Sequence, residues 1–200
     1  MTARARQPRL SIEVRREQVL DAALEIIVED GYAAASMEAI ARRVDIAKPV
    51  VYNAFGDRQK LLMALLERQE ERAFAALAAA MPPRAADSAP EDALISWAST
   101  LATAVHEQPT VWRLMLLPAD GTPAIVRAHV DEGREFVLNQ IRGVLNEYLT
   151  GTDMDVEVTA VAVLAMAEGL AAKLITEPDA YPPERVVAFA KGALKLLSTP

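Results

Sequence analysis

"DIAKPVVYNAFGDRQKLL", residues 45–62, is the stretch of sequence that decides the fold of this chain. Its first half predicts a short helix over residues 47–55. Pro49 falls in the first turn of that helix, where its missing N–H group costs nothing, and Gly56 ends the helix. Asp57 can then cap a further helix. The stretch therefore indicates two helices with well-defined ends and very little chain between them.

Another short helix, "SMEAIARRV" at residues 36–44, comes directly before this stretch. Ser36 is a favourable N-cap for it. The turn that follows is two or three residues long, and Asp45 tolerates the left-handed backbone that such a sharp turn needs. Two short helices joined this tightly are typical of a helix-turn-helix motif, whose second helix lies in the major groove of DNA.

The helix over residues 47–55 has two different faces. Val51 and Phe55 are four positions apart, so both are expected to pack inward. Lys48, Tyr52 and Asn53 then point outward, where Lys and Tyr suit phosphates and Asn can pair with adenine. The alternative from spacing alone is that these are ordinary surface residues of a small helical bundle.

The residues expected to contact DNA lie on this helix and beside it. The next helix opens with basic residues, and its free N–H groups also attract phosphate. The full set of candidates is Ser36, Lys48, Pro49, Val50, Tyr52, Asn53, Arg58 and Lys60.

Composition and charge limit the kind of protein this is. The chain has 200 residues, of which 52% are hydrophobic, and it has no cysteine, so disulfides and thiolate chemistry are excluded. The net charge is −7, but residues 1–60 carry ten basic and nine acidic residues while the remainder carries eleven and nineteen. A near-neutral N-terminal segment and an acidic remainder suggest that the two parts of the chain have different functions. The first residues lack the apolar core of a signal peptide, and no long uninterrupted apolar run occurs, so a soluble cytoplasmic protein is expected.

The rest of the chain also indicates helices. About nine are expected, which defines an all-α protein. The front helix, over residues 12–30, has Leu20, Ala23, Leu24 and Ile27 on one face. A proline-rich break at residues 81–90 separates the chain into parts. The expected organisation is an arm and helix-turn-helix domain over residues 1–56, a connecting helix over 57–80, and a helical effector-binding and dimerisation domain over 81–200.

Residues 14–68 resemble the N-terminal domain of TetR-family transcriptional regulators. The landmarks are the run from Val19 to Leu24, Gly31-Tyr32, Ile40-Ala41, "KPVVYNAF" and "DRQKLL". The resemblance implies that the third helix reads the major groove, and that Tyr52 and Arg58 contact phosphate. It departs from the family at three positions: Asp45 stands where Gly is usual, Ala47 where a capping residue is frequent, and Val50 where Thr is frequent.

A basic arm precedes the first helix. Arg4, Arg6 and Arg9 could reach an adjacent groove of DNA, or they could form a solvated tail.

The helix expected over residues 156–175 is apolar nearly all round and must be covered on both sides. Its small residues, such as Ala162 and Gly169, permit close helix approach. In TetR-like proteins the last two helices form an interface between two subunits, which suits a two-fold DNA site. The alternative is a larger core within one chain.

A ligand pocket is also expected in the back half of the chain. Ile125, Phe136, Val137, Ile141, Val144 and Tyr148 form one predicted inward stripe of the helix near 123–149, and polar residues interrupt it. A pocket is mostly apolar with a few placed polar groups. Its candidate residues are Trp97, Trp112, Met115, His129, Glu132, Phe136, Gln140 and Glu168.

These patterns favour a dimeric repressor that binds a palindromic operator and is released by a small-molecule effector. The alternative is a helical protein-interaction module without sequence-specific DNA binding. No phosphate-binding loop, catalytic triad or paired-carboxylate motif points to an enzyme. No cofactor is indicated, and two distant histidines do not suggest a metal site.

Overall fold

The computed structural model describes residues 11–80, 90–117 and 121–197, and these residues form nine α-helices. The helices are α1 (Ile12–Asp30), α2 (Met37–Arg43), α3 (Lys48–Phe55), α4 (Arg58–Ala80), α5 (Pro90–Glu107), α6 (Pro109–Leu116), α7 (Ala124–Tyr148), α8 (Val156–Thr176) and α9 (Pro183–Leu197). The all-α fold class is confirmed. The basic arm with Arg4, Arg6 and Arg9, and nearly all of the proline-rich break, lie outside the described residues.

The helices divide into two compact units. Of the described residues, unit 1 contains 11–66 and 121–126, and unit 2 contains the remainder. The division falls within α4, between Leu66 and Glu67. The three domain ranges expected from the sequence stay a prediction.

Unit 1 is built on the mutual packing of α1, α2 and α3. The face predicted for α1 is confirmed, because its four apolar residues are all buried. Ser11 caps the start of α1 by accepting a hydrogen bond from the N–H group of Val14, at 3.3 Å. Gly31 ends it with a φ of 81°, a conformation that glycine adopts without steric cost. Ile40 of α2 and Leu61 of α4 are fully buried in this unit.

Unit 2 has two apolar clusters. In the larger one, α5 packs against α8 and α9, and α6 packs against α8. Val105 and Trp112 are among its buried side chains. The smaller cluster joins α7 to α8 through Leu138, Leu145 and Ala160.

The inward stripe predicted for α7 is correct only in part, because Ile141 and Tyr148 pack against the smaller cluster whereas three other members are exposed. Ile125, Phe136 and Val144 are 41%, 57% and 42% exposed. The buried stripe in unit 2 instead includes Leu138 and Leu145, which are seven positions apart. Helix α7 carries apolar residues on more than one face, so periodicity alone did not identify the face that packs against α8.

Helix α8 is apolar nearly all round, as predicted, and a large part of that surface is exposed in the single chain. Val158 and Val161 are 67% and 53% exposed, and Met166 is also exposed. Phe189 of α9 is half exposed. Within the described residues, α8 is the one helix long and apolar enough to cross a membrane, a test that many core helices of soluble proteins also pass.

Candidate nucleic-acid interface

Helix α3 is anchored to unit 1 by one face. Val51 is fully buried and Phe55 nearly so. The helix begins after Ala47, whose backbone is extended and which offers no side-chain cap, and Pro49 lies in its first turn. It ends at Gly56, whose φ is 83° and whose N–H group donates to the carbonyl of Tyr52 at 2.7 Å. The predicted ends and the predicted inward face of this helix are confirmed.

The opposite face of α3 is open. Lys48, Tyr52 and Asn53 are exposed, as predicted, and so are Pro49 and Val50. These five residues occupy the first two turns of the helix and supply a cation, a phenol, an amide and apolar surface. Such groups can contact the phosphates and base edges of DNA.

The turn between α2 and α3 depends on Asp45. Its φ is 54°, and among the described residues it is the one non-glycine residue with a positive φ. The N–H group of Ile46 donates to the carbonyl of Ala41 at 3.0 Å, which closes the end of α2. The prediction that Asp45 takes the left-handed conformation is confirmed.

Arg16 of α1 holds the far end of α3, a contact that the sequence analysis missed. Its guanidinium donates to the carbonyl of Ala54 and lies 4.1 Å from the centre of the Phe55 ring. A cation at this end of the helix is favourable, because the last carbonyls of a helix carry partial negative charge. The sequence carries only a weak indication of this contact, because Arg16 is one of several arginines near the start of the chain.

Lys48 has a partner within the protein. Its ammonium forms an ion pair with Glu38 of α2 and lies 5.4 Å from the centre of the Tyr52 ring. The hydrogen bond with Lys48 lowers the pKa of Glu38, and the same bond raises the pKa of Lys48. Both side chains are about half exposed. No local pattern distinguishes Glu38 from any other acidic residue in the first turn of a helix.

Arg58 and Lys60 lie at the start of α4. Arg58 is half-buried, and its Nε group donates to the carbonyl of Ala35 at 2.8 Å. Lys60 is exposed and lies 3.5 Å from a carboxylate oxygen of Asp57. Asp57 caps α4 as predicted, by accepting a hydrogen bond from the N–H group of Lys60 at 2.9 Å. The DNA contacts predicted for Arg58 and Lys60 stay a prediction.

Ser36 caps α2. Its hydroxyl accepts a hydrogen bond from the N–H group of Ala39 at 3.1 Å. The cap is confirmed, and the hydroxyl oxygen of Ser36 therefore already accepts a hydrogen bond within the protein. A contact from Ser36 to DNA stays a prediction.

The residues proposed for a ligand pocket belong to unit 2, where the structure brings some of them together. Trp112 is buried, and Met115 packs against the same apolar cluster. His129 of α7 lies 2.9 Å from a carboxylate oxygen of Glu70 on α4. Glu168 accepts two hydrogen bonds from Arg134. The other four candidates are exposed: Trp97, Glu132, Phe136 and Gln140.

Two polar side chains that the sequence pattern did not predict to be buried lie inside unit 2. Arg68 and Gln69 lie side by side on α4 and are 8% and 0% exposed. The Gln69 amide donates to the carbonyl of Thr110 over 3.4 Å. Charged and amide residues in the middle of a helix normally predict a solvated face, so no local signal identified them.

The geometry of unit 1 is that of a helix-turn-helix domain, in which α2 and α3 form the motif and α3 is anchored by its inner face. Residues 19–65 match the family of bacterial regulatory proteins called the tetR family. The resemblance of the N-terminal residues to the TetR family is thereby confirmed over the matched residues.

Several curated relatives share these N-terminal residues. The transcriptional activator FasR of Mycolicibacterium smegmatis is 45% identical over 60 residues, which are 30% of this chain and 27% of that protein. The regulator BetI of Rhizobium meliloti is 37% identical over 82 residues, or 38% of this chain and 40% of that protein. The repressor KstR of M. smegmatis is 41% identical over 58 residues, or 29% of this chain and 28% of that protein. The chain thus spans about a quarter to two fifths of the length of these relatives, which are transcriptional regulators rather than enzymes.

Solved structures share the fold over nearly the whole chain. A TetR-like transcriptional regulator from Rhodococcus sp. RHA1 has a TM-score of 0.76 at 22% identity, and the match covers 96% of this chain and 100% of that one. The regulator FadR from Bacillus subtilis, solved in complex with stearoyl-CoA, has a TM-score of 0.66 at 19% identity and covers 92% and 97%. At this level of identity, the likeness shows a common fold.

Proposed function

We propose that this protein is a TetR-family regulator of transcription that binds DNA through α3. The observation that carries the proposal is the contrast between the two faces of that helix. Val51 is fully buried in unit 1, whereas Lys48, Tyr52 and Asn53 are exposed on the other side. A short helix held in this way presents a fixed set of polar groups to a major groove.

Each exposed group has a role that its chemistry suits. Asn53 donates to and accepts from the edge of an adenine, and Val50 meets a thymine methyl group. Lys48 and Tyr52 contact phosphates, which fix the register of the protein on DNA. Pro49, Ser36, Arg58 and Lys60 complete the contact surface.

The protein acts as a soluble, cytoplasmic homodimer on a palindromic operator. The support for a dimer is the apolar surface of α8 and α9 that the single chain leaves exposed, including Val158, Val161 and Phe189. A two-fold dimer would place two copies of α3 on half-sites about 34 Å apart.

A small-molecule effector bound in unit 2 releases the repressor from its operator. Trp112 and Met115 in the apolar cluster offer apolar surface for such a ligand, and His129 of α7 and Glu168 of α8 offer polar groups in the same unit. The effector acts by binding better to a conformation that fits DNA less well. Repression is the mode we propose, and both a repressor and an activator occur among the relatives.

The experiment that tests the proposal is selection of a duplex from a randomised library by the purified protein, followed by titration of that duplex. Tyr52→Ala should weaken binding of all sequences about equally, whereas Asn53→Ala should relax the preference at one position. Gln59→Ala, a change of an exposed residue on α4, is the matched control. If no sequence is enriched, the chain is instead a protein-interaction module without sequence-specific DNA binding.

A further inference from the structure

Lys48 and Glu38 form an ion pair that joins the first turn of α3 to the first turn of α2. Both side chains are about half exposed, so either one can exchange its partner for a group on another molecule. The cation is one of the groups that the proposed function assigns to phosphate. Its carboxylate partner therefore stands at the proposed DNA surface with the wrong charge for DNA.

A phosphate and the Glu38 carboxylate compete for the same ammonium group. Lys48 carries one positive charge, and the Glu38 carboxylate neutralises it in the free protein. In water, two unit charges 4 Å apart interact with an energy that corresponds to about a fivefold change in a binding constant. Any phosphate that takes Lys48 must offset the loss of this interaction and also approach the freed carboxylate.

We infer that Glu38 sets the affinity for DNA by holding Lys48 until a phosphate takes its place. The inference rests on the proposed function, since it concerns the same surface of α3. Glu38 acts through Lys48, so it is a positioning residue and needs no DNA contact of its own. Because Lys48 must exchange Glu38 for a phosphate, DNA of every sequence binds more weakly than it would if Lys48 had no partner in the free protein.

The salt dependence of binding provides a specific signature. Each phosphate that a cation neutralises releases counterions, and the slope of log K against log salt concentration changes by about 0.9. In the wild-type protein this release is offset, because the freed Glu38 carboxylate attracts a cation from solution. Removing the carboxylate should therefore make the slope steeper by up to about 0.9 per protomer.

The chain offers a matched control. Glu25 of α1 is also an exposed carboxylate in an ion pair, with Arg43 of α2 at 3.1 Å, and neither residue is among the proposed DNA contacts. Glu25→Gln and Glu38→Gln thus remove the same charge from the same unit. The melting temperature of each variant, read by circular dichroism, shows that the fold is retained.

The experiment compares wild type, Glu38→Gln and Glu25→Gln on the duplex that the wild type selects and on a scrambled duplex of equal length, over a range of salt concentrations. Glu38→Gln should bind both duplexes about fivefold more tightly at low salt, with a steeper slope, and Glu25→Gln should match the wild type. In a Lys48→Ala background the gain from Glu38→Gln should largely disappear.

Three results overturn the inference. Equal binding by Glu38→Gln shows that the pair is irrelevant, and weaker binding shows that the carboxylate presents Lys48 to DNA. A full gain in the Lys48→Ala background shows that the carboxylate acts by repulsion alone. Failure of the wild type to select any duplex is a different result, because it removes the proposed function itself.

Discussion

Arg58 of α4 donates its Nε hydrogen to the backbone carbonyl of Ala35 over 2.8 Å. The same guanidinium donates a second hydrogen bond to the carbonyl of Tyr32. Both carbonyls belong to the connection between α1 and α2, and Arg58 is half-buried. A planar guanidinium can satisfy several acceptors at once, so this side chain links the start of α4 to that connection.

Arg58→Met should therefore destabilise the protein. The change keeps an apolar stem and removes both hydrogen bonds, which should lower the free energy of unfolding by about 1–3 kcal/mol. Urea unfolding followed by circular dichroism measures this loss. Lys60→Met is the control, because the Lys60 side chain is 73% exposed, and it should unfold like the wild type. An Arg58→Met protein as stable as the wild type would contradict this structural role, and weakened DNA binding by it would leave the proposed phosphate contact as the function of Arg58.

The caps of α2 and α3 predict opposite effects of two substitutions. Ala47 precedes α3 with φ −70° and ψ 136°, the backbone of a good N-cap, but it has no side-chain acceptor. Ala47→Ser should supply one and raise the free energy of unfolding by about 0.5–1 kcal/mol. Ser36→Ala removes the existing cap of α2 and should lower it by about 1 kcal/mol. Thermal unfolding of the two variants beside the wild type tests both signs, and equal shifts in one direction would contradict the capping argument.

The ends and the inner face of α3 could be predicted because they depend on local chemistry. Pro49, Gly56 and Asp57 each allow or prevent a helix at their own position, and Val51 and Phe55 follow the helical repeat. These features hold whatever the rest of the chain does. The left-handed turn at Asp45 was predictable for the same reason.

The partners of long charged side chains could not be predicted in this way. Lys48 pairs with Glu38, ten positions away, and Arg58 reaches carbonyls more than twenty positions away. Such contacts depend on how the helices pack and are absent from any local pattern. The inward face of α7 could be predicted only in part for a related reason, because apolar residues lie on more than one face of this helix and packing against α8 decides which are buried.

The buried phenol of Tyr32 should make the protein less stable at high pH. Burial raises the pKa of its phenol from 10 to about 12, because the charged phenolate loses hydration inside the protein. The unfolded chain therefore ionises at a lower pH than the folded one. The stabilisation is fully present below pH 10 and falls between about pH 10 and 12, by about 2–3 kcal/mol in all.

Urea unfolding between pH 9 and 12 measures this loss against Tyr32→Phe, which cannot ionise at that position. The wild type should lose more stability than the variant across this range. Tyr52→Phe is the control, since Tyr52 is exposed on α3, and it should follow the wild type. Absorbance at high pH gives a second measurement, in which Tyr32→Phe should remove a phenol that ionises near pH 12 in the folded wild type. Parallel curves for wild type and Tyr32→Phe would show that burial of this phenol does not affect stability.

Val161→Arg should separate the proposed dimer into monomers. Val161 is 53% exposed on α8 in the single chain, and a Cβ added at Gly169 of the same helix would meet nothing within 4 Å beyond that helix's own backbone and its neighbours in the chain. If a second copy covers this surface, a guanidinium there loses its hydration without gaining a partner, which is strongly unfavourable. Light scattering at micromolar concentration should give twice the chain mass of 21.7 kDa for the wild type and the single mass for the variant. Gln59→Arg introduces the same side chain at an exposed position of α4 in unit 1, outside the proposed interface, and should stay dimeric. A wild type that scatters as a monomer would contradict the proposed interface, and it would leave the exposed valines of α8 to be covered by something other than a second copy.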